Sequence, residues 1–108
     1  MIAALLAAVA LQAPMADQTT TASELGRLCA ASDQPSMARC HAFLVPGAQV
    51  STNPRENTAI PKLCIPPTAT FGDLRRAYSA YLPKHAEKGS SPAVIVVLEM
   101  LAETYPCR

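Results

Sequence analysis

The four cysteines are the most reactive side chains of this sequence, and their spacing limits what they can do. They stand at Cys29, Cys40, Cys64 and Cys107. Zinc sites built from cysteines use close pairs such as C-x-x-C, because two ligands must reach one ion from a single turn. No two of these cysteines are closer than eleven positions. A nucleophilic Cys40 would need a facing base, and neighbouring His41 points about 100° away from it on a helix. We therefore predict neither a metal site nor a catalytic cysteine.

The remaining polar residues indicate no enzyme or cofactor site. The sequence has no Walker loop, no G-x-S-x-G, no H-E-x-x-H and no paired-carboxylate motif. His85 stands alone in a polar turn, where a charge partner at a helix C-terminus is expected more than a ligand. Arg75 and Arg76, with Lys84 and Lys88, form a modest basic strip that is expected to be a solvated face. We predict a protein without catalytic activity, cofactor or metal.

Length and charge favour one small domain. The chain has 108 residues, with nine Lys and Arg against eight Asp and Glu. A net charge of +1 gives no electrostatic support for binding nucleic acid. Half of the residues are hydrophobic, so the composition is not that of a disordered chain.

The N-terminal segment resembles a secretory signal peptide. Residues 2–11 are an unbroken apolar run, and the first charged side chain is Asp17. A helix of this run would be about 15 Å long, half of what a bilayer requires, so stable membrane insertion is not expected. We predict a signal peptide over residues 1–16, cleavage near Ala16, and a periplasmic mature domain over residues 17–108. The alternative is a buried N-terminal helix of a cytosolic protein.

Export gives the cysteines a structural role. A mature domain of 92 residues is marginal on its hydrophobic core alone. An even number of cysteines in an exported chain predicts disulfides, here two, with three possible connectivities.

Helix signals recur four times in the mature chain. Capping boxes at Thr21-x-x-Glu24 and Thr70-x-x-Asp73 predict helices over residues 21–32 and 70–83. Ser36 can cap a second helix, which Pro46 should kink or end. Residues 91–104 start with Ser-Pro and are apolar on nearly all sides, which predicts the central helix of the bundle. The fold class is therefore all-α, a small four-helix bundle with two disulfides.

The predicted topology favours one disulfide pairing. Short connections make neighbouring helices antiparallel, so Cys29 at the end of the first helix should lie beside Cys40 near the start of the second. Cys64 precedes the third helix and Cys107 follows the fourth, so these two are expected to meet as well. Cys29–Cys64 with Cys40–Cys107 remains the alternative.

The second half of the chain resembles the Rap/Tai family of type VI secretion immunity proteins. The family pattern is a cysteine followed by an aromatic residue and a glycine, a Cys-x-Pro, a Tyr-Leu-x-x-His-Pro-Glu and an aromatic-Pro-Cys. This sequence carries, in that order, Cys40, Phe43 and Gly47, then Cys64-Ile65-Pro66, then Tyr81-Leu82-Pro83-Lys84-His85-Ala86-Glu87, and Tyr105-Pro106-Cys107. It departs at Pro46, where the family tends to have glycine, and at Ala86, which replaces a proline.

The resemblance implies a function by binding. Members of that family are all-helical, periplasmic and non-enzymatic, are often dimers, and block peptidoglycan amidase effectors. It implies that this chain binds such an amidase as its protein partner, fills the enzyme's cleft, and could form a homodimer. From the residues alone, the candidate contact surfaces are the loop over residues 51–62 and the turn over residues 83–89, both prolyl or polar. The alternative for each segment is an ordinary solvated loop.

Two other functions remain open. A small periplasmic chaperone or stress protein would bind many unfolded clients. A disulfide-rich four-helix lipid carrier would enclose an apolar cavity, which Tyr78 and Tyr81 could line, although these tyrosines are expected mainly at the rim of the core.

Overall fold

The predicted all-α architecture is confirmed by the computed structural model, which describes residues 19–52 and 63–107. Helix α1 spans Ala22–Ala30, α2 spans Gln34–Thr52, α3 spans Phe71–Lys84 and α4 spans Ala93–Thr104, with a short 3-10 helix at Ala86–Lys88. The described part contains no β-strand, only isolated bridges that pair Thr21 with Pro92 and Leu63 with Pro106. The proposed signal peptide, residues 1–16, and residues 53–62 of the proposed contact loop lie outside the described residues. The loop prediction is wrong for residues 51 and 52, which belong to α2.

Both predicted capping boxes are formed. In α1 the Glu24 amide donates to the Thr21 hydroxyl at 3.2 Å, and the Thr21 amide donates to the Glu24 carboxylate at 3.4 Å. In α3 the Asp73 amide donates to the Thr70 hydroxyl at 3.1 Å, and the Thr70 amide donates to Asp73 at 2.9 Å. Each box satisfies two backbone donors that a helix start leaves free. The hydrogen bonds from Thr70 hold the pKa of Asp73 below its ordinary value.

The start of α2 differs from the prediction. Asp33, expected as part of a helix break, caps the helix, and its carboxylate accepts the Ser36 amide at 3.1 Å and the Ser36 hydroxyl at 2.8 Å. These hydrogen bonds lower the pKa of Asp33. Ser36, expected as the cap, therefore lies in the first turn. An aspartate three residues before a serine can accept both of its donors, which made Asp33 the stronger cap.

The predicted end or kink of α2 at Pro46 is wrong as an end, because the helix continues to Thr52. Proline removes one backbone hydrogen bond, but packing on both sides of it stabilises the helix. Phe43 and Leu44 are buried before it. After it, a Cβ on Gly47 would lie 3.0 Å from Val97 of α4. Gly47 thus allows α2 and α4 to approach closely.

The core lies where the four helices meet. Helix α4 packs against the other three helices, as predicted, although Ile95 on its outer side is 51 % exposed. Tyr78 and Tyr81, expected at the rim, are buried. The Tyr78 hydroxyl donates to the Ala22 carbonyl at 2.8 Å, and this partner is what makes a fully buried phenol tolerable. The largest fully buried side chains are Tyr78, Leu25, Leu44, Met100, Leu101, Val96 and Val97.

The disulfides have the pairing that the topology favoured. Cys29 pairs with Cys40 across the α1–α2 connection, with 5.0 Å between the Cα atoms. Cys64 pairs with Cys107, with 4.9 Å between the Cα atoms. We call Cys29–Cys40 the inner bridge and Cys64–Cys107 the outer bridge.

The starts of α1 and α4 are joined by main-chain hydrogen bonds. The Ala22 amide donates to the Ser91 carbonyl at 2.9 Å, and the Ala93 amide donates to the Thr20 carbonyl at 2.9 Å. Two helix-start donors are satisfied by this exchange, which fixes the segment before α4 against the beginning of α1.

Candidate protein-interaction site

The turn over residues 83–89 is held in place from two sides. On one side, the Ser23 amide of α1 donates to the Gly89 carbonyl at 3.0 Å. A Cβ on Gly89 would lie 2.4 Å from the Ser23 hydroxyl, so the absence of a side chain permits this approach. On the other side, Lys88 donates to Glu99 of α4 at 3.1 Å. The turn therefore presents a fixed surface.

His85 is the central side chain of this turn. It ends α3, and its ring stacks on Tyr81 with 4.1 Å between the ring centroids. Its Nε2 lies 3.2 Å from the Glu103 carboxylate of α4, and its Nδ1 lies 4.0 Å from Glu87. His85 was expected at a helix C-terminus, and it lies at the end of α3. Its ring nitrogens also lie near two acidic side chains, those of Glu87 and Glu103.

Lys88 makes a further contact with the Tyr81 side chain. Its ammonium group donates to the Tyr81 hydroxyl at 3.2 Å and lies 5.8 Å from the ring centroid. The hydrogen bonds to Tyr81 and Glu99 raise the pKa of Lys88, because both favour the charged ammonium. Tyr81 thus connects the turn to α3 while its ring stays buried. The side chains that remain exposed along the turn are Pro83, Lys84, Ala86 and Glu87.

The predicted basic strip is wrong as a shared solvated face. Arg75 is half-buried; its Nε donates to the Cys29 carbonyl, and its Nη2 donates to the Ala31 carbonyl at 3.2 Å. Arg76 is exposed and pairs with Asp73 in its own helix. Lys88 is engaged in the turn. No sequence signal distinguished Arg75 from Arg76, because the distinction depends on where α1 ends against α3.

A groove of about 400 Å³ lies between α2, α3 and the segment that leads into α3. We call it the apolar groove. Its residues are Val45, Ala48, Gln49, Ile65, Pro66, Pro67, Ala69, Thr70, Phe71 and Leu74. His41 is exposed beside it, with its ring 5.0 Å from the ring of Phe71. No local pattern in the sequence predicts this groove, since the groove joins segments that are distant in the chain.

The described residues show no grouping of three or more His, Cys, Asp or Glu side chains that could hold a metal ion. Among the helices of the described ranges, none combines the length and apolar character that a membrane span requires.

Comparison with known families gives the decisive observation. The sequence model described as Rap1a immunity proteins matches residues 21–107. The chain belongs to this family. The match begins at Thr21, the cap of α1, and ends at Cys107 of the outer bridge, so it covers the whole helical bundle. Neither a curated protein nor a solved structure shows significant similarity to the chain.

Membership in the Rap1a immunity family gives the type of function. The chain is an immunity-type protein, and membership in this family implies that it binds a protein partner. The Rap/Tai resemblance noted in the sequence is confirmed by this match.

Proposed function

We propose that this protein is a periplasmic immunity protein that binds a peptidoglycan amidase effector and blocks its substrate cleft, with no catalysis of its own. The observation that carries the proposal is the Rap1a match over the entire bundle, residues 21–107. The amidase as target follows from the resemblance to the Rap/Tai family, whose members block such enzymes. Occlusion needs only a rigid surface of the right shape.

The periplasm is supported by the cysteines. All four are taken up in the inner and outer bridges. Disulfides form and persist in oxidising compartments such as the bacterial periplasm. The proposed signal peptide over residues 1–16 would deliver the chain there.

The 83–89 turn is the surface we assign to effector contact. Its exposed side chains stand on a framework fixed by Ser23 of α1 and Glu99 and Glu103 of α4. A preorganised surface loses little conformational entropy on binding, which leaves more of the contact energy for affinity. A few buried anchors are enough in an interface of ordinary size.

Capture from a periplasmic extract tests the partner. The oxidised mature chain, residues 17–108, is immobilised, and the retained proteins are identified by mass spectrometry. We expect one Cys-His peptidoglycan amidase in near-stoichiometric amount. Recovery of many unrelated unfolded proteins would contradict the proposal and favour the chaperone function, and co-purifying lipid would favour the lipid carrier.

A matched pair of substitutions tests the surface. Ala86→Arg places a long charged side chain at an exposed position of the turn. Ala38→Arg places the same side chain at an exposed position of α2. We expect Ala86→Arg to weaken amidase binding by roughly tenfold or more, since the centre of an interface is well packed and desolvated. We expect Ala38→Arg to bind like the wild type. Equal binding by both variants, with unchanged melting temperatures, would show that the turn is not part of the interface. It would not contradict the immunity function.

A further inference from the structure

The two disulfides differ in their access to solvent. In the inner bridge, Cys29 is 1 % exposed and Cys40 is fully buried. In the outer bridge, Cys64 is exposed and Cys107 is half-buried. Thiol–disulfide exchange requires a thiolate to approach a sulfur atom along the axis of the bond, so the exchange rate depends strongly on this access.

The outer bridge also lies next to the apolar groove. It joins the segment that follows α4 to the segment that enters α3. Around it, Leu63 pairs with Pro106 in an isolated bridge, and the Cys64 amide donates to the Tyr105 carbonyl at 3.0 Å. The next residues along the chain, Ile65, Pro66 and Pro67, form one wall of the apolar groove.

We propose that the outer bridge is a thiol–disulfide exchange site for a dithiol reductant, and that its redox state controls how firmly this wall of the apolar groove is held. One thiolate of the dithiol attacks the Cys64 sulfur, forming a mixed disulfide, while Cys107 leaves as a thiolate and takes up a proton. The second thiol of the reductant then attacks the mixed disulfide and releases Cys64 as a thiol. The protein gains two electrons and two protons, and the dithiol becomes a disulfide.

The bundle stays folded after this step. The inner bridge still joins α1 to α2, and the buried side chains Leu25, Tyr78 and Met100 do not touch solvent. The contacts that remain at the outer end are the buried Leu63, the partly buried Ile65 and Tyr105, and the Cys64–Tyr105 hydrogen bond, none of them covalent. Reduction therefore loosens residues 63–69 and leaves the helices in place. This inference concerns the chain alone and does not depend on the identity of its partner.

The test is reduction of the native protein without denaturant. The oxidised chain is incubated with dithiothreitol, samples are alkylated with iodoacetamide over time, and labelled cysteines are located by peptide mapping. We expect Cys64 and Cys107 to be labelled at least about tenfold faster than Cys29 and Cys40. Simultaneous labelling of all four, earlier labelling of the inner pair, or no labelling before unfolding would each overturn the proposal.

Two further measurements sharpen the result. In the Cys64→Ser/Cys107→Ser variant, the inner bridge should resist dithiothreitol as it does in the wild type. If Cys29 and Cys40 of this variant were labelled as fast as Cys64 and Cys107 of the wild type, the proposal would be contradicted. Hydrogen exchange after selective reduction should accelerate in residues 63–69 and stay unchanged in residues 96–101. Equal acceleration in both segments would show that the outer bridge holds the whole bundle, and no acceleration in residues 63–69 would show that it holds none of the groove wall.

Discussion

Arg75 joins the C-terminal end of α1 to α3. Its guanidinium donates to the carbonyls of Cys29 and Ala31, which have no partner within the helix because they lie at its end. A planar group with several donors suits this task better than an ammonium. The contact also lies directly beside the inner bridge, so the connection between α1 and α2 is fixed by a covalent bond and by two hydrogen bonds.

Replacing Arg75 by methionine should therefore destabilise the bundle. Two hydrogen bonds from a charged donor are lost and two carbonyls are left without them, which should reduce the free energy of unfolding by about 1.5–3 kcal/mol. Arg76→Met is the matched control, since Arg76 is exposed and forms only an ion pair within α3. It should change stability by less than about 0.5 kcal/mol. Urea unfolding followed by circular dichroism measures both, and equal effects would contradict the role given to Arg75.

Tyr78 contributes a single buried hydrogen bond. Tyr78→Phe keeps the ring in the core and removes the donor to the Ala22 carbonyl. We expect the free energy of unfolding to fall by about 1 kcal/mol near neutral pH. A variant as stable as the wild type in urea unfolding would show that the Ala22 carbonyl finds another donor.

The same residue gives the protein a dependence on alkaline pH. Burial raises the pKa of Tyr78 above its ordinary value of 10.0. The folded protein therefore keeps the phenol proton at pH values where the unfolded chain releases it. This contribution is fully present below about pH 10 and is lost as the pH rises further, at up to about 1.4 kcal/mol per pH unit. The free energy of unfolding should fall more steeply with pH in the wild type than in Tyr78→Phe, and parallel curves would contradict this.

At this scale the sequence predicted the cysteines well and several other side chains less well. Even number, wide spacing and export context were enough to predict disulfides at Cys29, Cys40, Cys64 and Cys107. The burial of Tyr78 and the separate roles of Arg75 and Arg76 were not predictable, because they depend on contacts with α1, more than forty positions away in the chain.

Helix α2 shows how packing overrides a local signal. Pro46 stands inside the helix, where it lacks the amide that would complete one backbone hydrogen bond. The prediction from local sequence ended or kinked the helix there. The buried contacts of Phe43 and Leu44, together with the close approach of Gly47 to α4, stabilise the helix on both sides of the proline.

Pro46→Ala should consequently stabilise the protein. An interior proline is about 3 kcal/mol less favourable than alanine in an isolated helix, and we expect a gain of about 1–3 kcal/mol in the free energy of unfolding. Pro35→Ala is the control, because Pro35 is the second residue of α2, where no amide is needed, and its effect should stay below about 0.5 kcal/mol. Destabilisation by Pro46→Ala would show that the proline ring itself makes a required contact.

The helix starts were the most predictable elements. Thr21 with Glu24 and Thr70 with Asp73 predicted the beginnings of α1 and α3 within one residue, because a capping box is local in sequence. The apolar groove and the contacts of the 83–89 turn with α1 and α4 were not predictable. They are formed by segments that only the folded topology brings together.

The two bridges together contribute a large part of the stability of the whole molecule. They close separations of 11 and 43 residues. Loop entropy assigns about 3 and about 4 kcal/mol to such closures, which together approach the total stability of a small domain, about 5–15 kcal/mol. Complete reduction and alkylation should therefore abolish cooperative unfolding and most of the helical circular dichroism. A fully reduced chain that still unfolds cooperatively would show that the core suffices.

The Rap1a family, the helical bundle and the bridges together describe a molecule whose work is recognition. The chain is a small scaffold held by two disulfides, and its family implies that it binds a protein partner. Occlusion of an amidase is the central proposal, and it predicts a stoichiometric relationship between bound chain and lost activity.

An inhibition titration measures that relationship most directly. The oxidised mature chain is added in increasing amounts to the captured Cys-His amidase, and hydrolysis of the peptidoglycan peptide stem is followed. The account predicts that activity falls linearly and reaches its minimum near one chain per enzyme, and that Ala38→Arg does the same. Full amidase activity in the presence of excess folded, oxidised chain would contradict it.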